Sequence, residues 1–292
     1  MAKRKLISFD WAMKKLLRSK ANFEILEGFL SELLMEDVTI LELLESESNK
    51  EDARDKFNRV DLKVINDKKE ILIIEVQYER EFDYLQRILF GTSKVITEHL
   101  QKKNPYSKVA KVIPINILYF DLGHGDDYVY HGTTSFRGLH EQDLLQLSEE
   151  QQNLYGRDKL YEIFPEYYLV KVNNFDNIAK DTLDEWVYFL KNEEIKNDFK
   201  AKGIKKAKEE LDILKLSEEE RQAYERYQDD LHYQASMVES SYTVGIKKGE
   251  DRKALQIAMN LIKKGVLDAE EIAELTELPV EEIEKMITAK EL

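Results

Sequence analysis

Hydrophobic positions change period several times along the chain, and each change marks an element. In residues 8–35, Trp11, Leu16, Leu17, Phe23, Leu26, Phe29, Leu30, Leu33 and Leu34 recur about every 3.6 residues, predicting one or two helices with Ser8 as the cap. Residues 36–57 carry Glu42, Glu45, Glu47, Glu51 and Asp52 and read as a solvated helix or loop. Two β-forming runs follow: Val60, Leu62, Val64 and Ile65, then Ile71 to Ile74 and Val76. Between them lies Asn66-Asp67-Lys68-Lys69, whose Asn and Asp tolerate the left-handed backbone of a tight reversal, so the pair predicts a β-hairpin. Residues 78–103 return to helical spacing, with Phe82, Leu85, Ile88, Leu89, Val95, Ile96 and Leu100 as the expected buried stripe.

Asn104-Pro105-Tyr106 breaks that helix, and residues 109–121 form a β-run interrupted by Pro114. Proline there predicts an edge, a bulge or a strand start near Ile115. Strand, helix, strand at this length allows the run to lie parallel to the second hairpin strand. Residues 128–136 and 167–172 read as further strands, separated by a polar excursion with a short helix. From residue 176 the strand signal stops. Leu183, Trp186, Val187, Phe189 and Leu190 mark a helix, and 193–235 read as exposed helices or a coiled-coil arm. In 252–292 a helical stripe stops at Gly265, Asp268 caps a short helix, and Leu278-Pro279 turns into a last one. The expected architecture is therefore α/β: a mixed sheet flanked by helices, with an all-helical C-terminal extension. Its divisions are a sheet domain at 1–175, a charged helical connector at 176–251 and a small helical unit at 252–292.

The hairpin carries the candidate chemistry. A turn centred between Asp67 and Lys68 places Asp61 opposite Glu75 to within a residue, and Glu75 shares a face with Gln77. The second strand is apolar up to Glu75, the pattern of a strand covered on both faces. A carboxylate at its end is costly unless paired, and two side by side repel. A divalent cation between them removes that cost, and oxygen ligands suit Mg²⁺, with Mn²⁺ as substitute. The other reading is a strand end near solvent with Glu75 paired to a lysine or arginine. Lys63 lies on the face of Asp61, where it either steers phosphate or is an exposed strand lysine. Arg87 either offers a bidentate phosphate contact or pairs with Asp83 along a solvated helix. Asp10 falls in the first turn of its helix, where an acid also favours the dipole.

Composition bounds the rest. The chain has 292 residues and no cysteine, which excludes disulfides, thiolate metal sites and a cysteine nucleophile and suits a cytoplasmic location. No run is long and apolar enough to predict a signal peptide or membrane span. A net charge of −14 opposes binding to a polyanion unless Lys and Arg, clustered at 3–5, 14–20 and 102–111, gather on one face. The final helix, 280–289, carries Glu281, Glu282 and Glu284, which disfavours the major groove and favours protein packing, including a homo-oligomer through the C-terminal helices.

Asp61 followed by Glu75-Val76-Gln77 after an apolar strand resembles the PD-(D/E)XK nuclease motif. More narrowly, the chain resembles the recombination-promoting nuclease and transposase family, whose members carry Glu-x-Gln where the superfamily has Glu-x-Lys. Phe9-Asp10-Trp11-Ala12-Met13-Lys14 is similar to that family's N-terminal Asp-x-x-x-Lys helix start. Asn58-Arg59-Val60-Asp61-Leu62 and Tyr84-Leu85-Gln86-Arg87 through Lys94 resemble its first strand and following helix. The resemblance implies a restriction-endonuclease-like sheet and a metal-dependent DNA endonuclease linked to recombination or mobile elements. Asp61 and Glu75 would bind Mg²⁺ with Asp10 assisting, Gln77 would orient water or phosphate, and Arg87 or Lys63 would hold the substrate phosphate. Val60 and Gln77 depart from the superfamily's Pro and Lys, and Gln supplies no positive charge. The alternative is an inactive nuclease-like fold that binds DNA or protein.

Overall fold

The computed structural model describes residues 6–44, 61–100 and 105–290. Its strands β1 (Ile40–Leu44), β2 (Leu62–Asn66), β3 (Ile71–Gln77), β4 (Val112–Leu118), β5 (Val129–Gly132) and β6 (Tyr167–Lys171) form one mixed sheet in the order β1-β2-β3-β4-β6-β5. The helices are α1 (Phe9–Lys15), α2 (Phe23–Leu34), α3 (Tyr84–His99), α4 (Glu149–Tyr155), α5 (Thr182–Asn192), α6 (Ile204–Glu210), α7 (Glu218–Lys264), α8 (Ala269–Thr276) and α9 (Val280–Lys290). Among the described residues no helix is long and apolar enough to cross a membrane.

The hairpin register follows from the turn. Leu62 pairs with Ile74 and Lys63 with Ile73, so one step further Asp61 stands opposite Glu75. From β3 the chain crosses through α3 to β4, which runs parallel to it from Ile71↔Val112 to Gln77↔Leu118. Pro114 is tolerated inside β4 for a specific reason. Ile71 N–H donates to Lys111 O and Tyr119 N–H to Gln77 O, so odd-numbered residues of this strand bond to β3. The missing N–H of Pro114 therefore faces β6, whose ladder begins only at Ile115.

Period-two alternation sorts the sheet's faces. Leu62, Val64, Leu72, Ile74, Val76, Ile113, Ile115 and Ile117 join the main core. Ile71, Ile73 and Val112 face the other way, toward Val95 of α3. Asp61, Glu75 and Gln77 share that second face by parity. The α3 stripe differs from expectation: Tyr84, Ile88, Thr92 and Val95 are buried, while Phe82, Leu85 and Leu89 are exposed. Tyr84 is accepted inside because its hydroxyl donates to Asn116 Oδ1 at 3.2 Å.

The acidic stretch after α2 contains β1, an edge strand paired with β2 from Ile40↔Asn66 to Leu44↔Lys63. Its continuation through residue 60, including Asn58, Arg59 and Val60, lies outside the described residues.

The first compact unit extends to Tyr227 rather than stopping at 175, and a second covers Gln228–Leu292. The cause is aromatic packing. Trp186 of α5 lies 6.3 Å from Phe9 and 5.8 Å from Phe29, edge to face. Ile204, Ala207, Leu211, Leu216 and Tyr224 are buried in the same core, so 193–227 is no free arm. Close approach confirms it: a Cβ on Gly28 would lie 2.2 Å from Lys202 O. In the second unit, Ala258 and Ile262 of α7, Ile272 and Ala273 of α8, and Ile283 of α9 form a separate small core. Asp268 caps α8 through a capping box with Glu271, and Gly265 ends α7 with φ of 65°.

Candidate active site

The candidate residues meet where β3 ends and the chain turns into α3. Asp61 precedes β2, so its carboxylate finishes the ladder that the backbone leaves open: Oδ2 accepts the Val76 N–H at 2.8 Å. Its Oδ1 lies 3.6 Å from Lys14 Nζ. Arg18 Nη2 donates to the Asp61 backbone carbonyl at 3.1 Å, tying the basic cluster at 14–20 to the hairpin.

Asp10, in the first turn of α1, is 2 % exposed. Lys14, one turn later, lies 2.8 Å from its Oδ1 as an ion pair. That ion pair is the partner the buried Oδ1 has. The Tyr227 hydroxyl donates to Oδ2. Burial pushes the Asp10 carboxyl up to about 6; Lys14 opposes this and the Asp61 charge adds to it. Burial draws the Lys14 ammonium down, but Asp61 and Asp10 outweigh it and hold the group above its usual value.

Glu75 accepts from Arg87 Nη2 at 2.5 Å, and Arg87 Nη1 donates to Glu81 Oε1, also at 2.5 Å. Despite this partner Glu75 is pushed up to about 7. Burial dominates, Arg87 pulls down, and the Asp61 and Glu81 charges push up again. Gln77 turns its amide nitrogen to Glu81 Oε1 at 3.0 Å and to Glu79 O at 3.2 Å. Lys63, with a side chain 10 % exposed, pairs with Glu98 of α3 at 3.6 Å. Tyr78 stacks on Tyr119 at 4.4 Å between ring centroids.

Asp61, Glu75, Gln77, Asp10 and Arg87 are thus brought to one locality, and Lys63 is engaged by α3. Three participants have no role assigned to them from the sequence. Lys14 carries a usable signal, since it closes the Asp-x-x-x-Lys motif four residues after Asp10 on one helix. Glu81 and Tyr227 offer none, because their roles depend on the turn after β3 and on a contact spanning 217 residues.

Among the described residues no three His, Cys, Asp or Glu side chains converge as a metal-holding group. Lys14 stands between Asp10 and Asp61, and Arg87 covers Glu75. The Asp61 and Glu75 pair nevertheless fits a divalent cation by its donor chemistry. Both offer carboxylate oxygens, and the mutual charge that raises Glu75 is the cost a cation relieves.

The chain matches the profile of a family described as PD-(D/E)XK nuclease family transposase over residues 7–241. The chain belongs to this family. The match spans more than half of the sequence, from α1 into α7, and so includes every candidate residue. The mixed sheet with flanking helices is the PD-(D/E)XK nuclease fold, and the family description supports a nuclease-like or mobile-element role. No curated protein and no solved structure matches the chain.

Proposed function

We propose that this chain is a divalent-metal-dependent DNA endonuclease, hydrolysing phosphodiester bonds at the C-terminal end of β3. The observation that carries the reading is the Asp61–Glu75 juxtaposition: two carboxylates at neighbouring strand ends, one raised to about 7 by burial and by the other's charge. Asp61 and Glu75 would hold the ion, with Asp10 in support through Lys14. Bound there, Mg²⁺ or Mn²⁺ would supply Lewis acidity toward a phosphate oxygen and would lower the pKa of water.

The remaining steps belong to the side chains. Glu75 gives up its contact with Arg87 when its charge is needed elsewhere. Arg87 then turns its planar fork to the substrate phosphate, which guanidinium binds bidentately. The Gln77 amide, held by Glu81, is placed to orient water or a phosphate oxygen, and it carries no charge to stabilise the developing anion. Exposed Arg18, bonded to the Asp61 carbonyl, and exposed Lys15 three residues before it provide positive surface of the kind an acidic chain needs to meet DNA.

Arg87 on Glu75 and Gln77 in place of lysine favour one second reading, a nuclease-like fold that binds DNA without cutting it. Supercoiled plasmid incubated with purified protein at low salt separates the two. The nuclease reading expects nicking in Mg²⁺ or Mn²⁺, none in EDTA, and none from Glu75→Ala. Folded wild type that leaves the plasmid intact in every metal while retaining it in a gel shift supports the binding module.

A further inference from the structure

The start of α7 lies far outside the hairpin, yet it reaches the site twice. Tyr224 is buried, its ring edge to face with Trp11 at 5.4 Å between centroids, and its hydroxyl accepts the Ser8 N–H at 3.0 Å. This seats the helix against α1, the element that carries Asp10 and Lys14. One turn on, Tyr227 donates its hydroxyl to Asp10 Oδ2, while the Lys14 ammonium lies over its ring, 5.7 Å from the centroid. A single side chain thus holds both members of the Asp10–Lys14 pair.

We infer that Tyr227 is a positioning residue of the cleavage site, acting through Asp10 and Lys14 on the Asp61 carboxylate. The inference rests on the nuclease reading of that site. The chain of contacts runs from Tyr227 to Asp10, across the ion pair to Lys14, and on to Asp61 Oδ1 at 3.6 Å. The far oxygen of Asp61 is already committed to the Val76 N–H. With one oxygen fixed by the strand, the other is aimed by Lys14, and Lys14 is aimed by what holds Asp10. Packing alone does not require the hydroxyl, since Tyr224 supplies the buried anchor and phenylalanine would fill the ring's place. Lys14 serves Asp10 Oδ1, and Oδ2 rests on the Tyr227 hydroxyl, so losing that hydroxyl strips Oδ2 of its hydrogen bond.

The test compares full-length wild type, Tyr227→Phe and Tyr233→Phe, the last an exposed tyrosine on the same helix. Steady-state plasmid nicking gives kcat and KM, calorimetry without DNA gives Mn²⁺ affinity, and melting confirms folding. In Tyr227→Phe we expect kcat about tenfold lower or Mn²⁺ affinity about tenfold weaker, with KM within about twofold, as for other residues that orient a ligand set. Tyr233→Phe should match wild type. If Tyr227→Phe matches wild type in kcat and Mn²⁺ affinity, or differs only in melting, the inference falls and the nuclease reading stands. If wild type neither cuts nor binds Mn²⁺, the nuclease reading falls and takes the inference with it.

Discussion

Asp61 and Val76 are joined by a hydrogen bond that belongs to the sheet and to the site at once: the carboxylate Oδ2 accepts the strand N–H at 2.8 Å. The same side chain that closes the open end of the β2–β3 ladder is held beside Glu75 by that closure. Asp61→Asn keeps an acceptor oxygen there and should change stability by no more than about 1 kcal/mol, while Asp61→Ala strands the N–H and should cost about 1–3 kcal/mol. Both should abolish metal-dependent cutting. Urea titrations beside nicking assays check this, and an Asp61→Asn enzyme of wild-type activity would contradict it.

Glu75 makes the metal-free protein sensitive to pH in a defined direction. Its folded value of about 7 lies above its ordinary 4.5, so the folded state holds the proton more tightly. The contribution is fully present below about 4.5 and is lost as pH rises through about 7. Asp10, raised from 3.8 to about 6, acts in the same sense at lower pH. In EDTA, Glu75→Gln should gain stability on the order of 2 kcal/mol over wild type at pH 8, and little at pH 4.5. Divalent metal, which takes the ionised carboxylate, should bind more tightly as pH rises across the same window. Denaturation curves at several pH values test the sign.

The opposite end of the parallel strands carries a buried ion network with a structural role. Lys111 Nζ lies 2.5 Å from Glu166 Oε2 and 4.0 Å from Glu70 Oε1, and Arg157 reaches Glu70 at 2.8 Å. Burial would raise Glu166, but Lys111 and His131 prevail and hold it below its usual range. Lys111→Met leaves two buried carboxylates under-compensated and should cost about 3–5 kcal/mol. Cleavage per folded molecule should stay at the wild-type rate, because Lys111 precedes β4 whereas Glu75 lies toward the far end of β3. A normal melting curve for Lys111→Met would contradict this placement.

Trp186→Ala tests whether α5 belongs to the sheet's own core. Its ring touches those of Phe9, Phe29 and Phe189, with centroids 5.8 to 6.3 Å apart. The substitution should destabilise the first unit by about 3–5 kcal/mol, read by urea denaturation followed at the sheet. A helix on a free arm would cost the sheet nothing.

The sequence discloses what local chemistry decides. The hairpin register was readable because Asn66 to Lys69 allows few turns, and period two then sets Asp61 against Glu75. The Gly265 stop, the Asp268 cap and the Leu278-Pro279 turn were readable for the same reason. What escaped depends on partners distant in sequence. The buried stripe of α3 departs from its apolar pattern because apolar residues occupy both of its sides. Burial went to Tyr84 and Thr92, whose hydroxyls find Asn116 Oδ1 and Ile88 O. The edge strand β1 escaped notice because only Ile40 in it is buried. The boundary at 175 failed because Trp186 and Tyr224 meet α1 across long separations. Tyr227 was invisible for that reason too.

On the proposed function, Asp61 and Glu75 together hold a divalent cation. Calorimetric titration of Mn²⁺ into metal-free wild type, Asp61→Asn and Glu75→Gln at pH 8 addresses it without DNA. The account predicts saturable binding by wild type and its loss, by tenfold or more in affinity, in each variant. Mn²⁺ binding of equal strength in all three proteins would place the metal elsewhere and contradict the account.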